Sequence, residues 1–415
     1  MKKIKAVIIG AGDRGFTYAD YALKYPLELE IVGVAEPKKD QREKFSKAHK
    51  IPKKNQFKDY KEIFKKKRFA DLAIITTVDQ MHVEPTLLAF KNKYNVLLEK
   101  PMASTPKECA LLHKEAKKAR VFFEICYVLR YSPLFKTIKE IIKSGKIGEI
   151  QSIHHIENVH VRHYAHSYVR GNWGNEKESA PMLLAKSCHD IDLFLWLLDD
   201  TKAQYVSSFG SLSYYKRKNA PKDSTERCLD GCPKEQDCPF STKKIYFNED
   251  DKEFTNYLPI AKKNEENVIK LLENSQYGKC VFKCDNDVVD HQVVNLEMTN
   301  GATVSFSMCG FASQRTRIMR IAGTKGEIVG DLRKNRIKIL YHLDNTCEKI
   351  IPGVLPGEHG GGDTGLIRDI LFKLRDNQKS SDSFLNSHLI CFAAEESRKN
   401  KKVIDYKEYR KRYYR

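Results

Sequence analysis

The chain has 415 residues, 41% of them hydrophobic, and 73 Lys and Arg against 54 Asp and Glu give it a net charge of +19. The length exceeds what one hydrophobic core usually supports, so two domains are expected. The excess charge is scattered along the chain, which argues against a nucleic-acid surface, and the clusters Lys65 to Arg68 and Arg410 to Arg415 read as solvated faces.

No apolar run approaches the ~20 residues of a membrane helix. The opening MKKIKAVIIGAG is too short for a secretory leader and is interrupted by Lys5. Eleven cysteines, an odd number, read as reduced thiols rather than a disulfide framework. A cytoplasmic protein with no membrane partner is expected.

The first element is the apolar run ending in VIIG, a strand, followed by Gly10, Ala11, Gly12, Asp13, Arg14 and Gly15 and then a helix. In that context GxGxxG reads as a dinucleotide loop. Gly10 makes the tight turn, Gly12 admits a pyrophosphate, and Gly15 lets helix and strand pack closely. The phosphates would sit on the helix N-terminus.

A second strand, ELEIVGVAEP, ends at Glu36, near the ~20-residue spacing of the carboxylate that holds an adenosine ribose. A carboxylate there repels a 2′-phosphate and favours NAD over NADP, with Lys38, Lys39 and Arg42 placed to soften the preference. KDYKEIFKKKRF (helix), DLAIITTV (strand), HVEPTLLAFKNKY (helix) and NVLLEKP (strand) keep alternating, which predicts a parallel doubly wound sheet. Ligands gather beyond the carboxyl ends of such strands, which puts Thr76, Thr77, His82, Glu99 and Lys100 on the functional rim.

GAGDRG, TTVDQMH and above all LLEKPMA resemble the Gfo/Idh/MocA oxidoreductases, the glucose-fructose oxidoreductase and inositol dehydrogenase family. The resemblance implies a Rossmann domain over residues 1–123. It also implies a second α+β domain over 124–415, built on an open, mostly antiparallel sheet. Lys100 would lie at the junction of cofactor and substrate, Pro101 would form a special turn, and His82 would line the nicotinamide side. A homodimer or homotetramer is implied as well.

Beyond Glu124, PLFKTIKEIIK reads as a helix ending at Ser144-Gly145, with an alternating strand after it. The next segment, RHYAHSYVRGNWGN, is dense in polar and aromatic groups, as ligand loops are. With Arg130 it nominates His163, His166, Arg170, Asn172 and Trp173 for binding a sugar or polyol. PMLLAKSCHDIDLFLWLLDD predicts a helix on which Lys186 and His189, three apart, share a face. Imidazole suits proton transfer from a hydroxyl, so His189 is the first choice of base, with Lys100 and Lys186 beside it. The family pattern has Asp where this chain has Ala185. Lys186 next to it would stabilise an alkoxide, or be the base itself if burial or a second cation lowers its pKa.

An insertion around 226–260 carries Cys228, Cys232 and Cys238, and resembles one in a branch of the family. Its first reading is a loop of reduced thiols. Its second is a Zn²⁺ knuckle completed by Cys280, Cys284 or a histidine. DVVDHQVVNLEMTNGATVSFSMCGF reads as paired strands about Asn300-Gly301, and RIMRIAGTKGEIVGDLRKNRIKILY continues the sheet. GEHGGGDTGLIRDILFKL brings a loop into a helix that Asp363 or Thr364 caps, the loop reading as a lid or subunit contact, and HLICFAAEESRKN is the last helix.

The sequence therefore reads as an NAD(P)-dependent dehydrogenase of secondary alcohols in sugars, inositols or their derivatives. A redox-neutral NAD-dependent glycoside hydrolase and a non-catalytic dinucleotide-responsive regulator are its alternatives.

Overall fold

In the computed structural model the described residues are 3–199, 201–248, 252–260, 262–356, 358–378 and 383–414. Arg415 and residues 249–251 of the insertion lie outside them.

Six strands form the first sheet: β1 (Ile4–Ile9), β2 (Leu29–Ala35), β3 (Gln56–Phe57), β4 (Leu72–Ile75), β5 (Asn95–Leu98) and β6 (Phe123–Ile125). Their order is β3-β2-β1-β4-β5-β6, with all pairs parallel. The strands are short apolar runs because both faces are covered. Helices α1 (Asp13–Lys24), α2 (Lys39–Ala48), α3 (Tyr60–Lys65), α4 (Val83–Lys91) and α5 (Pro106–Ala119) alternate with them. The order reverses between β1 and β4, which opens a crevice at their carboxyl ends.

α6 (Pro133–Lys143) leads into β7 (Ile150–His160), and α7 (Val161–Tyr164) and a π-helical turn over Ala165–Val169 follow. Then come α8 (Met182–Leu197), β8 (Ala203–Ser211) and an insertion with α9 (Thr242–Tyr246), α10 (Glu253–Asn256) and α11 (Glu265–Asn274). The remaining strands are β9 (His291–Met298), β10 (Thr303–Ala312), β11 (Thr316–Gly323), β12 (Gly326–Asp331), β13 (Arg336–Tyr341), β14 (Cys347–Ile350) and β15 (Ile404–Asp405). They make one sheet in the order β14-β13-β12-β11-β7-β10-β9-β8-β15. Its pairs are antiparallel except β7 with β10, which run parallel.

α8 is buried all round except at Lys186 and Trp196, so its apolar spacing is that of a central helix rather than a one-sided one. Over it lies α13 (Ser383–Asn400), whose Glu395 accepts from Gln292 of β9 at 2.7 Å. The helix α12 (Glu358–Arg375) returns to the first sheet, where Leu366, Ile367 and Ile370 share a core with Tyr18 and Ala22 of α1. A helix expected to be last is followed by another, α14 (Tyr406–Tyr413), which Asp405 caps through the Glu408 N–H at 3.0 Å. His359, Gly360 and Gly361 have positive φ and break α12 just before Asp363, which accepts from Arg14 and pairs with His359 at 3.1 Å, while Thr364 donates to the Pro356 carbonyl.

The insertion has a small core of its own, made by Ile245, Tyr246, Phe254, Leu258, Val268 and Leu272. Lys65 to Arg68 are exposed. Among the described residues no helix is long and apolar enough to cross a membrane.

Candidate functional site

The glycine loop closes on β4. Gly10 has φ +93°, and a Cβ there would stand 2.7 Å from the Thr76 carbonyl oxygen. Only glycine takes that conformation and spacing without strain. A Cβ on Gly12, by contrast, would meet nothing within 4 Å, so open space lies over the start of α1. The first turn of a helix cannot satisfy its own N–H groups and carries partial positive charge, so this cradle fits the pyrophosphate of a dinucleotide.

The buried Glu36 carboxylate accepts from the Ala11 N–H at 2.9 Å and the Lys38 N–H at 3.0 Å, tying the loop to the end of β2. Arg42 is turned inward, donating to the Glu36 and Pro37 carbonyls, whereas Lys38 and Lys39 are exposed.

Glu99 accepts from Arg14 and from the Tyr18 hydroxyl, both at 2.8 Å. Arg14 also reaches Asp363, so these residues knit α1, β5 and α12 together. Burial opposes the Glu99 charge, but Arg14 and Lys100 hold the carboxyl below its ordinary range. His82 is fully buried and bridges the Pro101 carbonyl at 2.7 Å and the Thr77 carbonyl at 3.0 Å. On the other side His388 of α13 accepts the Met102 N–H at 2.7 Å. The segment holding Lys100 is thus fixed by two histidines, one of them far away in sequence.

Burial pushes His388 from 6.5 down to about 4, so it is neutral in the fold. A depressed pKa makes its stabilisation complete above pH 6.5 and progressively lost as pH falls toward 4, worth roughly 3 kcal/mol. His388→Gln, which keeps an acceptor for Met102, is expected to shrink the loss of stability between pH 6.5 and 4 in acid-denaturation curves. An unchanged curve would refute the assignment.

Lys100 Nζ donates to the Ala185 carbonyl at 2.5 Å, reaching from the first domain to the start of α8. Lys186, the next residue, stands 3.4 Å from Glu157 Oε1 of β7. Burial pushes its ammonium down to about 8; Glu157 acts against this, while Arg317, Lys100 and Arg315 act with it. His189 is buried on the same helix, and its Nε2 lies 3.0 Å from Arg317 Nη2. Burial holds it well below the ordinary imidazole range; Asp190 opposes that, and Arg317 and Lys100 reinforce it. Arg317 of β11 also binds Asp190 at 2.7 and 3.2 Å and Glu157 at 2.8 Å. Asp190 is further bound by His155 Nε2 at 2.9 Å.

Of the proposed substrate residues, His163 faces Lys186 and Arg315, and burial keeps it uncharged. The others have different neighbours. Arg130 forms a two-pronged pair with Asp192 at 2.5 and 2.6 Å. Trp173 donates to Asp79 at 3.0 Å, latching its loop to the segment after β4, and Asn172 is exposed. His166 bonds the Tyr246 hydroxyl at 2.9 Å, and burial takes it down to about 3. Arg170 is buried against the insertion, donating to the Lys279 and Phe240 carbonyls and to Cys228 Sγ.

The zinc reading of the insertion is corrected. Among the described residues no three His, Cys, Asp or Glu side chains are grouped to hold a metal. Cys228, Cys232, Cys238 and Cys280 instead line a small cavity beside Arg170, Phe240 and Phe282. Glu157, Arg317 and His388 escaped the sequence reading. The signal available was a polar residue in the apolar phase of an alternating strand, at His155 and Glu157 of β7 and Arg317 of β11.

A parallel dinucleotide fold joined to an open sheet, with Lys100 of the first reaching the buried helix α8 that bears Lys186 and His189, defines a two-domain nucleotide-dependent enzyme class. The chain belongs to the Gfo/Idh/MocA oxidoreductase family. Its description as an oxidoreductase family with an NAD-binding Rossmann fold matches residues 4–127, and its C-terminal alpha/beta domain matches residues 139–341.

The Bacillus subtilis (strain 168) protein YteT, named as an oxidoreductase, is 25% identical over 405 residues, covering 89% of this chain and 88% of that one. The inositol 2-dehydrogenase of Salmonella typhimurium (strain LT2) is 28% identical over 199 residues, 48% of this chain and 55% of that enzyme. Levoglucosan dehydrogenase, solved with NADH and levoglucosan, shares the fold with a TM-score of 0.73 at 17% identity, covering 98% of this chain and all of that one.

Proposed function

We propose that the protein is an NAD-dependent dehydrogenase that oxidises or re-forms a secondary alcohol of a sugar, inositol or sugar derivative. The observation that supports this reading is the Lys100 contact with the Ala185 carbonyl, which brings Lys100 to the stretch of α8 that bears Lys186 and His189. The similarity to enzymes named for inositol and levoglucosan supports the substrate class.

Gly10 to Gly15 and Glu36 would hold NAD, which supplies a hydride acceptor. The chain's own task is then the hydroxyl. The Lys100 side chain near its oxygen favours the charge that develops as the C–H bond breaks. A screen of inositols, aldoses, anhydrosugars and uronates for NADH absorbance tests the reading. No turnover with any, beside tight NAD binding, would favour the regulator instead.

NAD is expected to bind more tightly than NADP because Glu36 repels a 2′-phosphate. Glu36→Ala narrows that gap and also costs about 1 kcal/mol of NAD affinity through the lost bond to the loop. Equal affinities in the unmutated protein, read by fluorescence titration, would sink this.

Self-association belongs to the same proposal. Ile156, Val293 and Phe209 stand in one row on the uncovered face of the second sheet. Sedimentation showing a monomer at working concentration would contradict it.

A further inference from the structure

We propose that the proton of the reacting hydroxyl leaves to Lys186 rather than to His189, and that Arg317 fixes this division by holding His189 protonated at Nδ1. The inference rests on the dehydrogenase reading above, but its premises are properties of the free protein.

A guanidinium has donors and no acceptor. Arg317 Nη2 at 3.0 Å from His189 Nε2 therefore donates, and the Nε2 lone pair is taken. A neutral imidazole with that nitrogen accepting carries its proton on Nδ1. Nδ1 is buried and has no hydrogen-bond partner among the described residues. It is a donor left open for an oxygen of the substrate. In this state His189 offers no lone pair to a hydroxyl proton.

Arg317 has little freedom to let go, since the same group binds Asp190 and Glu157. It is the positioning residue: it touches His189, and through it sets what His189 can do.

Lys186 has the complementary properties. The groups facing it are Glu157 of β7, Arg317 of β11, Arg315 of the turn before β11, Lys100 of the first domain and His163. Among these described residues only Glu157 is acidic, and Arg317 binds that carboxylate too. Burial and the surrounding cations make the neutral amine accessible near physiological pH.

In the oxidation direction the C–H bond breaks and its electron pair leaves with the hydrogen as a hydride, for which bound NAD would be the acceptor. The O–H bond breaks, its proton is taken by the Lys186 lone pair, and its electrons form the C=O bond. The new ammonium sits 3.4 Å from Glu157, which stabilises it. Re-forming the alcohol runs the same steps backward, with Lys186 as acid.

Two measurements on the unliganded full chain test this. In protein labelled with ring-¹⁵N histidine, and with the His189 signals assigned through His189→Gln, His189 is expected as the neutral Nδ1–H tautomer. Arg317→Met is expected to release it to the Nε2–H form or a mixture, and Arg317→Met combined with Asp190→Asn and Glu157→Gln serves where the single variant does not fold. Competitive acetylation across pH, read by peptide mass spectrometry, is expected to give Lys186 a midpoint near 8, below the surface lysines. An Nε2–H tautomer in the unmutated protein, or a Lys186 midpoint in the ordinary lysine range, overturns the proposal. Neither experiment uses a substrate, so failure of the dehydrogenase reading shows separately, as absence of turnover in the screen.

Discussion

Lys186→Met is expected to lower kcat/KM by at least two orders of magnitude, about 3 kcal/mol of transition-state stabilisation, with NAD affinity nearly unchanged. The loss has two sources: the base that accepts the hydroxyl proton, and the ammonium that this base then becomes beside the oxygen. Lys100→Met should cost a similar factor, since Lys100 is held against the Ala185 carbonyl at the same place. In the unmutated protein alcohol oxidation should rise with pH through about 8, because the base works only once its ammonium has lost a proton. Lys186→Met should flatten that rise. Steady-state rates across pH, with the substrate found by screening, and NAD titration by fluorescence make the measurement. Near-normal turnover in Lys186→Met would reduce Lys186 to a structural residue of α8.

The cofactor half of this site was legible in the sequence because its parts are local. A strand, three glycines and a helix follow one another, and Glu36 lies one strand further on, so spacing alone identifies them. EKP was legible for the same reason. What holds it was not: Met102 and His388 are 286 positions apart, and no pattern in one strand or helix announces such a pair. The polar loop after β7 misled in a different way. His166 and Arg170 have side chains suited to ligands, but Tyr246, Lys279 and Phe240 of a later insertion take up their hydrogen bonds. A loop's composition shows that it needs partners, not whether the protein already supplies them. Arg317 and Glu157 could have been suspected from strand alternation, since each replaces an apolar residue on a buried face. Their pairing depends on β11 lying beside β7, a register set only in the folded sheet.

That buried arrangement makes Arg317 the residue whose loss should most weaken the fold. Arg317→Met removes a guanidinium from between Asp190 and Glu157, both fully buried, and leaves two carboxylates facing each other out of water. Breaking a buried pair from one side typically costs about 3–5 kcal/mol, because the remaining charge is uncompensated. The expected result is a marked drop in the denaturation midpoint. Adding Asp190→Asn and Glu157→Gln to Arg317→Met should recover much of the loss, since the carboxylates stranded by the first change are then neutral. This non-additivity separates a charge effect from simple loss of packing. If the triple variant is less stable than Arg317→Met alone, stranded charge is not the cause. Asp190 would then be satisfied by His155, whose Nε2 lies 2.9 Å away, and Arg317 would serve the fold by filling space between β11 and α8.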